Sequence, residues 1–449
     1  MKYKSSLHTW LPTSERFLIR VDFNVDFIKS SDDTSQEIID DFRIRSLFPT
    51  LDRIQELGAP FTIITHIGRP KNQESDLSTQ HLVKALARYN VEFVPDIQQL
   101  LELTDKQHTQ SNHPFNVLSE NFPAKLNIDR PLSDVNKKQT DKPKNYILEN
   151  LRFFPGETSK DPQEANQFAQ QIAKLGPYYV NDAFGALHRH DSSIALVPRY
   201  FEPTKRTIGL LVERELATID TLFLKGSHPK CVILGGNKAL EKLETLHTLI
   251  TKKILTKLDT VLLGPLLSVP MAQALSQPQD ITYDVIHDMA NTSDNKSNSK
   301  SENESSNKSK SENNGRELEL CQKITTIALA NHVNIQVPID YQIIDNQICS
   351  IGPKTIPLFT EYIMKSKTIL TNGCMGFNER PETLTGMAAI FQAIGQSNAH
   401  SIVSGGSSVA AIHQLGLTQC VDYLSTGGGA TLAYISGEPL PGLIALDNK

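Results

Sequence analysis

Three features of the sequence predict an α/β protein built from two parallel-sheet domains. Short β-rich runs alternate with helical patterns along the chain: FLIRVDFN, FTIITHIGRP, VEFVPD, YILENLRF and YYVNDAF, then CVILGG, TVLLGP, IQVPID, TILTNG, SIVSGG and YLSTGGG. This is the rhythm of βαβ units. Nearly every run stops at Asp, Asn, His, Arg or glycines, and in open parallel sheets ligands sit beyond the carboxyl ends of the strands. The runs form one group ending near Ser193 and another beginning near Cys231, and 449 residues exceed a single core of ordinary size. The stretch 208–222 (IGLLVERELATIDTL) has helical periodicity and is expected to connect the two groups.

The first group gathers basic residues at strand ends and loops: Arg20, Arg43, His66, Arg69, Arg152, His188, Arg189 and His190. Singly, each reads as a solvated or ion-paired side chain. Converging on one face, the arginine forks would hold a small polyanion, since they recognise phosphate and carboxylate bidentately. Asp22 and Asn24, after FLIRV, would then accept hydrogen bonds from substrate hydroxyls. The segment 104–143 that follows VEFVPD is polar and weakly periodic, as expected of a surface insertion.

The second group opens on CVILGGNKALEKLE at 231–244. A buried strand runs into Gly235 and Gly236, whose backbone would turn tightly and bring N–H groups close to a ligand. A helix is expected next, with Lys238 and Lys242 four residues apart on one face near its start, where the macrodipole attracts anions. Both a polyphosphate cradle and an ordinary α/β connection fit this pattern. Further glycine turns at 405–406 and 427–429 would suit nucleotide phosphates. The segment 291–314 is almost pure Asn, Ser, Lys, Glu and Asp, and is expected to be a disordered insertion. A small-anion half and a nucleotide half imply phosphoryl transfer across a cleft.

Composition excludes several classes. A formal net charge of -5 argues against a general nucleic-acid or membrane-binding surface. Five cysteines without paired spacing argue against a disulfide framework or zinc cluster and fit a reducing compartment. With no apolar signal region and no run of about eighteen apolar residues, a cytoplasmic protein without a membrane span is expected. A dinucleotide-binding dehydrogenase is set aside, because no G-x-G-x-x-G follows the first strand.

At these residues the chain resembles the phosphoglycerate kinase family, almost end to end. RVDFNV at 20–25, DFRIRSLFPT at 41–50, THIGRP at 65–70, LENLRF at 148–153 and VNDAFGALHRHDSS at 180–193 look like the family's substrate-domain motifs. GGNKALEK, NGCMGFNE at 372–379, STGGGATL and LPGLIAL look like its nucleotide-domain motifs. The resemblance implies two Rossmann-like parallel-sheet domains facing each other across a cleft, usually in a monomer. It places the substrate domain at 1–205, the nucleotide domain at 206–431, and the end of the chain, 432–449, back on the first domain. The implied reaction moves a phosphoryl group reversibly between 1,3-bisphosphoglycerate and ADP, giving 3-phosphoglycerate and ATP.

Carried over by motif, Asp22, Phe23, Asn24, Arg43, His66, Ile67, Gly68, Arg69, Arg152 and Arg189 line the 3-phosphoglycerate site. Arg43, Lys238 and Lys242 are implied to act in catalysis, with Arg43 reaching toward the transferring group. Gly235, Gly236, Lys238, Lys242, Asn372, Glu379, Gly405, Gly406, Ser407, Ser408, Gly427, Gly428 and Gly429 are implied to hold ATP or ADP. Mg²⁺ would be held mainly by the nucleotide, with no resident metal site in the chain.

The departures fall mainly in the nucleotide half. The family's GGGDT turn reads Ser404-Gly405-Gly406-Ser407-Ser408 here, so Ser407 replaces a Mg²⁺-binding aspartate. WNGPMG becomes Thr371 to Gly376 with Cys374 inside, Pro265 replaces a pocket glycine, Asp26 a proline, and Ser350 the aspartate of DIGP. Two readings follow: a working kinase with an altered nucleotide pocket, or a non-catalytic descendant that binds phosphoglycerate and acts as a binding or regulatory protein.

Overall fold

The structure is a computed structural model describing residues 7–29, 36–110, 144–236, 238–276 and 304–447. The chain divides into two compact units. The first comprises Met1–Asp182, His190–Leu210 and Ala445–Lys449, and the second Ala183–Arg189 and Leu211–Ile444.

The first unit is built on a six-stranded parallel sheet in the order Val91–Val94, Asn145–Leu148, Phe61–Ile64, Phe17–Val21, Tyr178–Asp182, Arg206–Ile208. FLIRV, FTII and NYIL are buried at every position, as expected of strands covered by helices on both faces. Helix Phe42–Glu56 buries Ile44, Leu47, Leu51 and Ile54, spaced three and four apart, in a core with Phe17, Phe61 and Tyr89. Helix Pro162–Ala173 starts where Asp161 accepts from Gln163 N at 2.9 Å and Pro162 needs no hydrogen bond. Arg206–Ile208, counted with the nucleotide half in the sequence, is the edge strand here. Arg206 donates to Pro198 O (2.8 Å) and to Asp447 O (2.9 Å), tying down the end of the chain. Residues 432–444 group with the second unit.

The second unit has its own six-stranded parallel sheet, ordered Asn334–Gln336, Thr260–Leu263, Lys230–Leu234, Thr368–Asn372, His400–Ser404, Tyr423–Leu424. By position in this sheet the order is third, second, first, fourth, fifth, sixth, so the winding reverses between Lys230–Leu234 and Thr368–Asn372. The crevice outside those two carboxyl ends is where doubly wound sheets bind ligands. The stretch 208–222 is helical over Leu210–Ile219 and continues as a π-turn over Asp220–Leu224; the chain passes from one unit to the other at its start.

Much of both expected insertions lies outside the described residues, 111–143 of the first and 291–303 of the second. Where they are described they are helical. Helix Ile97–Gln110 takes in Thr104, which is buried and donates to Leu100 O and Leu101 O. Helix Glu304–Asn331 takes in 304–314, for which disorder is expected from composition. Extending a helix already nucleated by the apolar stretch after Glu317 adds a hydrogen bond per residue ordered, so polar residues are carried along at small cost.

Candidate functional sites in the two units

In the first unit the loops after Phe17–Val21, Phe61–Ile64 and Asn145–Leu148 interlock. Asn24 Oδ1 accepts from Gly68 N at 2.7 Å, and Arg43 Nη1 donates to Asn24 O at 2.6 Å. Asp22 lies 3.8 Å from Arg43, and Arg152 donates to Gly68 O and sits 3.8 Å from Asp191. Asp22, Asn24, Arg43, Gly68 and Arg152 are thus brought together. Gly68 has φ +62, a conformation that L side chains avoid, and a Cβ there would press on Leu77. Arg69 is exposed on the same loop and, among the described residues, has no hydrogen-bond or ion-pair partner.

Other expected residues have different places. Phe23 and Ile67 point into the hydrophobic core, and their backbones carry the loops. His66 is buried behind them, its Nδ1 3.0 Å from Arg20 Nη2, and Arg20 is itself buried. Arg189 is half-buried and groups with the second unit.

Two residues of the first unit escape a reading for charge. Asn150 accepts from Ile67 N (3.2 Å) and donates to Ile67 O (2.9 Å) and Leu77 O (2.8 Å). Thr65 accepts from Phe23 N and donates to Val21 O, both at 3.0 Å. Both are neutral and buried, and only their place in the THIGRP and LENLRF motifs marks them.

In the second unit a cavity of about 160 Å³ opens beside the sheet's reversal point. Pro265, Leu266, Ile348, Met375 and Phe377 give it apolar walls; Gly236, Asn378, Glu379 and Ser407 give it a polar end. Cys349 and Cys374 also line it, and burial pushes the Cys374 thiol up to about 11, so it is protonated at neutral pH. Pro265 occupies the first turn of helix Pro265–Ala274.

The glycines of 235–236 do something other than present N–H groups to phosphate. Gly235 N donates to Asn372 O at 3.0 Å and Gly236 N to Cys374 O at 2.8 Å, so both donors are taken. Gly235 is required because three passes of backbone cross there. A Cβ on it would overlap Cys374 O, one on Gly264 would lie 2.9 Å from Gly235 Cα, and one on Gly373 would overlap Gly235 O.

The two lysines do not share a helix face. The helix begins at Ala239, so Lys238 is its N-cap residue, an exposed side chain 3.6 Å from Glu241. Lys242 lies on the buried side and donates to Gly235 O. Burial pulls its ammonium down to about 8, against the Glu241 charge. Asn372 is buried and donates to Ser404 Oγ (2.9 Å) and Gly428 O (3.4 Å), while Ser408 Oγ accepts from Gly373 N at 2.7 Å. Gly405 N donates to Gly427 O at 3.0 Å. These groups bind the turns to one another. A Cβ on Gly429 would meet Glu241 and His188, two neighbours that sequence spacing does not indicate.

The donors near Ser407 suit a metal only poorly. Ser407 is exposed and its carbonyl accepts from Asn378 Nδ2 at 3.0 Å. Among the described residues no three His, Cys, Asp or Glu side chains gather to hold an ion.

Comparison with known proteins adds sequence and fold relationships. A family model described as phosphoglycerate kinase matches residues 11–438. The phosphoglycerate kinase of Dictyoglomus turgidum is 31% identical over 455 residues, covering 97% of this chain and 96% of that protein. That of Herpetosiphon aurantiacus is 30% identical over 441 residues and covers 97% of both. Among solved structures, phosphoglycerate kinase from Pyrococcus horikoshii OT3 superposes with a TM-score of 0.74 at 24% identity, covering 98% of each chain. The enzyme from Coxiella burnetii gives 0.66 at 23% identity, also covering 98% of each chain. These two likenesses are of fold.

Proposed function

The chain belongs to the phosphoglycerate kinase family, and on that premise we propose that it transfers a phosphoryl group reversibly between 1,3-bisphosphoglycerate and ADP, giving 3-phosphoglycerate and ATP. The observation that carries this reading is the loop cluster of the first unit, where Asn24, Arg43, Gly68 and Arg152 are bonded to one another and two arginines suited to an anion come together. A non-catalytic reading is not favoured, because the family relationship spans both units.

In the direction of ATP use, a carboxylate oxygen of 3-phosphoglycerate forms a new P–O bond as the bond from ADP breaks. Such a step needs positioning and charge stabilisation, with no covalent intermediate on the protein. Arg43, Arg69 and Arg152 would hold the phosphoglycerate. In the second unit, the apolar walls around Pro265 and Phe377 would take the nucleobase, and Glu379 the ribose. Lys238, already exposed, would meet the phosphates; Lys242 would have to leave Gly235 O to do so. Mg²⁺ arrives as part of the Mg-nucleotide substrate, and the residues at Ser407 do not fit a resident ion. We place the protein in the cytoplasm as a monomer; among the described residues no helix is long and apolar enough to cross a membrane.

A coupled assay with 3-phosphoglycerate and MgATP tests the activity directly; no turnover with both ligands bound would reject it. Arg69→Ala should weaken 3-phosphoglycerate binding by about 2 kcal/mol, or about thirtyfold, since an exposed fork without a partner among the described residues is available to the anion. Calorimetry giving equal affinities would remove Arg69 from the site.

Ser407→Asp should tighten the Mg-nucleotide complex and lower the Mg²⁺ concentration needed for half-maximal turnover, because a carboxylate is a far better Mg²⁺ ligand than a neutral hydroxyl. Turnover of the unaltered protein already saturated at low Mg²⁺ would contradict a weakened metal site. A Mg²⁺ titration of both proteins decides between these results.

A further inference from the structure

The loop from Asn372 to Glu379 is tied at both ends to the start of helix Gly406–Gln414. At its inner end Asn372 Nδ2 donates to Ser404 Oγ at 2.9 Å and Gly373 N to Ser408 Oγ at 2.7 Å. At its outer end Asn378 Nδ2 donates to Ser407 O at 3.0 Å. Asn378 and Ser407 both line the cavity, so this last bond spans its polar end.

Arg380 N donates to Phe377 O at 3.0 Å, which makes Asn378 and Glu379 the two central residues of a tight turn. Thr383, fully buried, accepts from Phe377 N at 2.8 Å and donates to Arg380 O at 2.8 Å. The turn is thus held by Thr383 from the protein side and by Asn378 from the cavity side. A carbonyl can only accept, so the Asn378 amide has to turn its nitrogen toward Ser407 O. Its oxygen is then left buried with no partner among the described residues. Orphaned buried acceptors are rare in folded proteins, and such broken rules gather where a side chain is set by function.

We infer that Asn378 is a positioning residue for the nucleotide: by fixing Glu379 against the first turn of helix Gly406–Gln414, it sets the distance between the ribose and the phosphates. This rests on the reading of the cavity as the nucleotide site with Glu379 at the ribose. Glu379 is exposed at the second central position of the turn, so its place relative to the helix follows that of Asn378.

Calorimetry with MgADP and with the Mg complex of dideoxyadenosine diphosphate, which lacks both ribose hydroxyls, tests this. The parent protein should bind ADP about tenfold more tightly than the dideoxy nucleotide, the scale of a hydrogen bond to a carboxylate. Asn378→Leu, close in size but without a donor, should bind MgADP about fivefold more weakly and bind the two nucleotides within about twofold of each other. Its melting temperature and its 3-phosphoglycerate affinity should be kept, because the orphaned oxygen leaves together with the donor. Asn378→Asp keeps the shape, loses the donor and should show the same loss of preference; it serves if the leucine variant does not fold. Asn378→Gln, which retains a donor on a longer arm, should keep part of the preference. A preference for ADP as large as the parent's in the leucine or aspartate variant would overturn the inference. A parent protein that binds the two nucleotides alike would overturn the ribose reading of Glu379, and the inference with it.

Discussion

Glu157→Ala is expected to lower the stability of the first unit by about 2–6 kcal/mol near pH 5, because two buried donors lose their acceptor at about 1–3 kcal/mol each. Glu157 is 1% exposed and accepts both hydrogen bonds of Ser193, and without it Ser193 N and Oγ are left buried without that acceptor beside Arg20. Burial pushes the Glu157 carboxyl from 4.5 up to about 7, against the pull of Arg20. The folded chain therefore keeps a proton that the unfolded chain has released between those two values. Stability from this group is full below about 4.5 and is lost as pH rises through about 7. The deficit of the alanine variant should accordingly be greatest near pH 5 and shrink toward pH 7.5. Urea unfolding followed through a probe in the first unit would show it. A deficit that grows with pH would mean that Glu157 is ionised in the folded protein throughout.

Gly373→Ala is expected to cost about 3 kcal/mol or more and to abolish nucleotide binding, while phosphoglycerate binding by the first unit persists. At φ +94 an L residue is strained by roughly 1–3 kcal/mol. The added Cβ also overlaps Gly235 O and the Lys242 ammonium, and overpacking of this kind costs about 1–3 kcal/mol more. The overlap is with backbone, so the Gly235 turn itself has to move, and with it the Gly236 edge of the cavity. Calorimetry with MgADP and, separately, with 3-phosphoglycerate would read both halves of the result. Nucleotide affinity equal to that of the parent protein would show that the three glycine passes are not what shapes the cavity.

Much of the candidate site was legible because it is local. Asp22, Asn24, Gly68 and Arg152 each follow a strand within a few residues, and strand ends are where a parallel sheet presents its ligand-binding groups. The β-rich runs likewise marked the sheet strands, since strands covered on both faces are apolar without interruption. Charge and periodicity did not show which donors would be used up on arrival. Gly235 and Gly236 read as phosphate donors, yet their N–H groups pair with Asn372 and Cys374, more than a hundred residues further on. Lys242 reads as a phosphate ligand by its spacing from Lys238, but the helix begins one residue after Lys238 and turns Lys242 inward.

By itself, then, the sequence determined the family, the two parallel sheets and the strand-end loops that bring Asn24, Arg43, Gly68 and Arg152 together, because strand periodicity and motif order are properties of neighbouring residues. Only the tertiary structure decided that Arg20 lies buried against His66 and Glu157, that three glycines share one crossing, and that Asn372 binds turns together. Each of these depends on segments far apart in the chain approaching to within a few ångströms. That approach is set by packing, where a single Cβ or a missing hydrogen-bond partner is enough to forbid an arrangement that spacing along the chain allows.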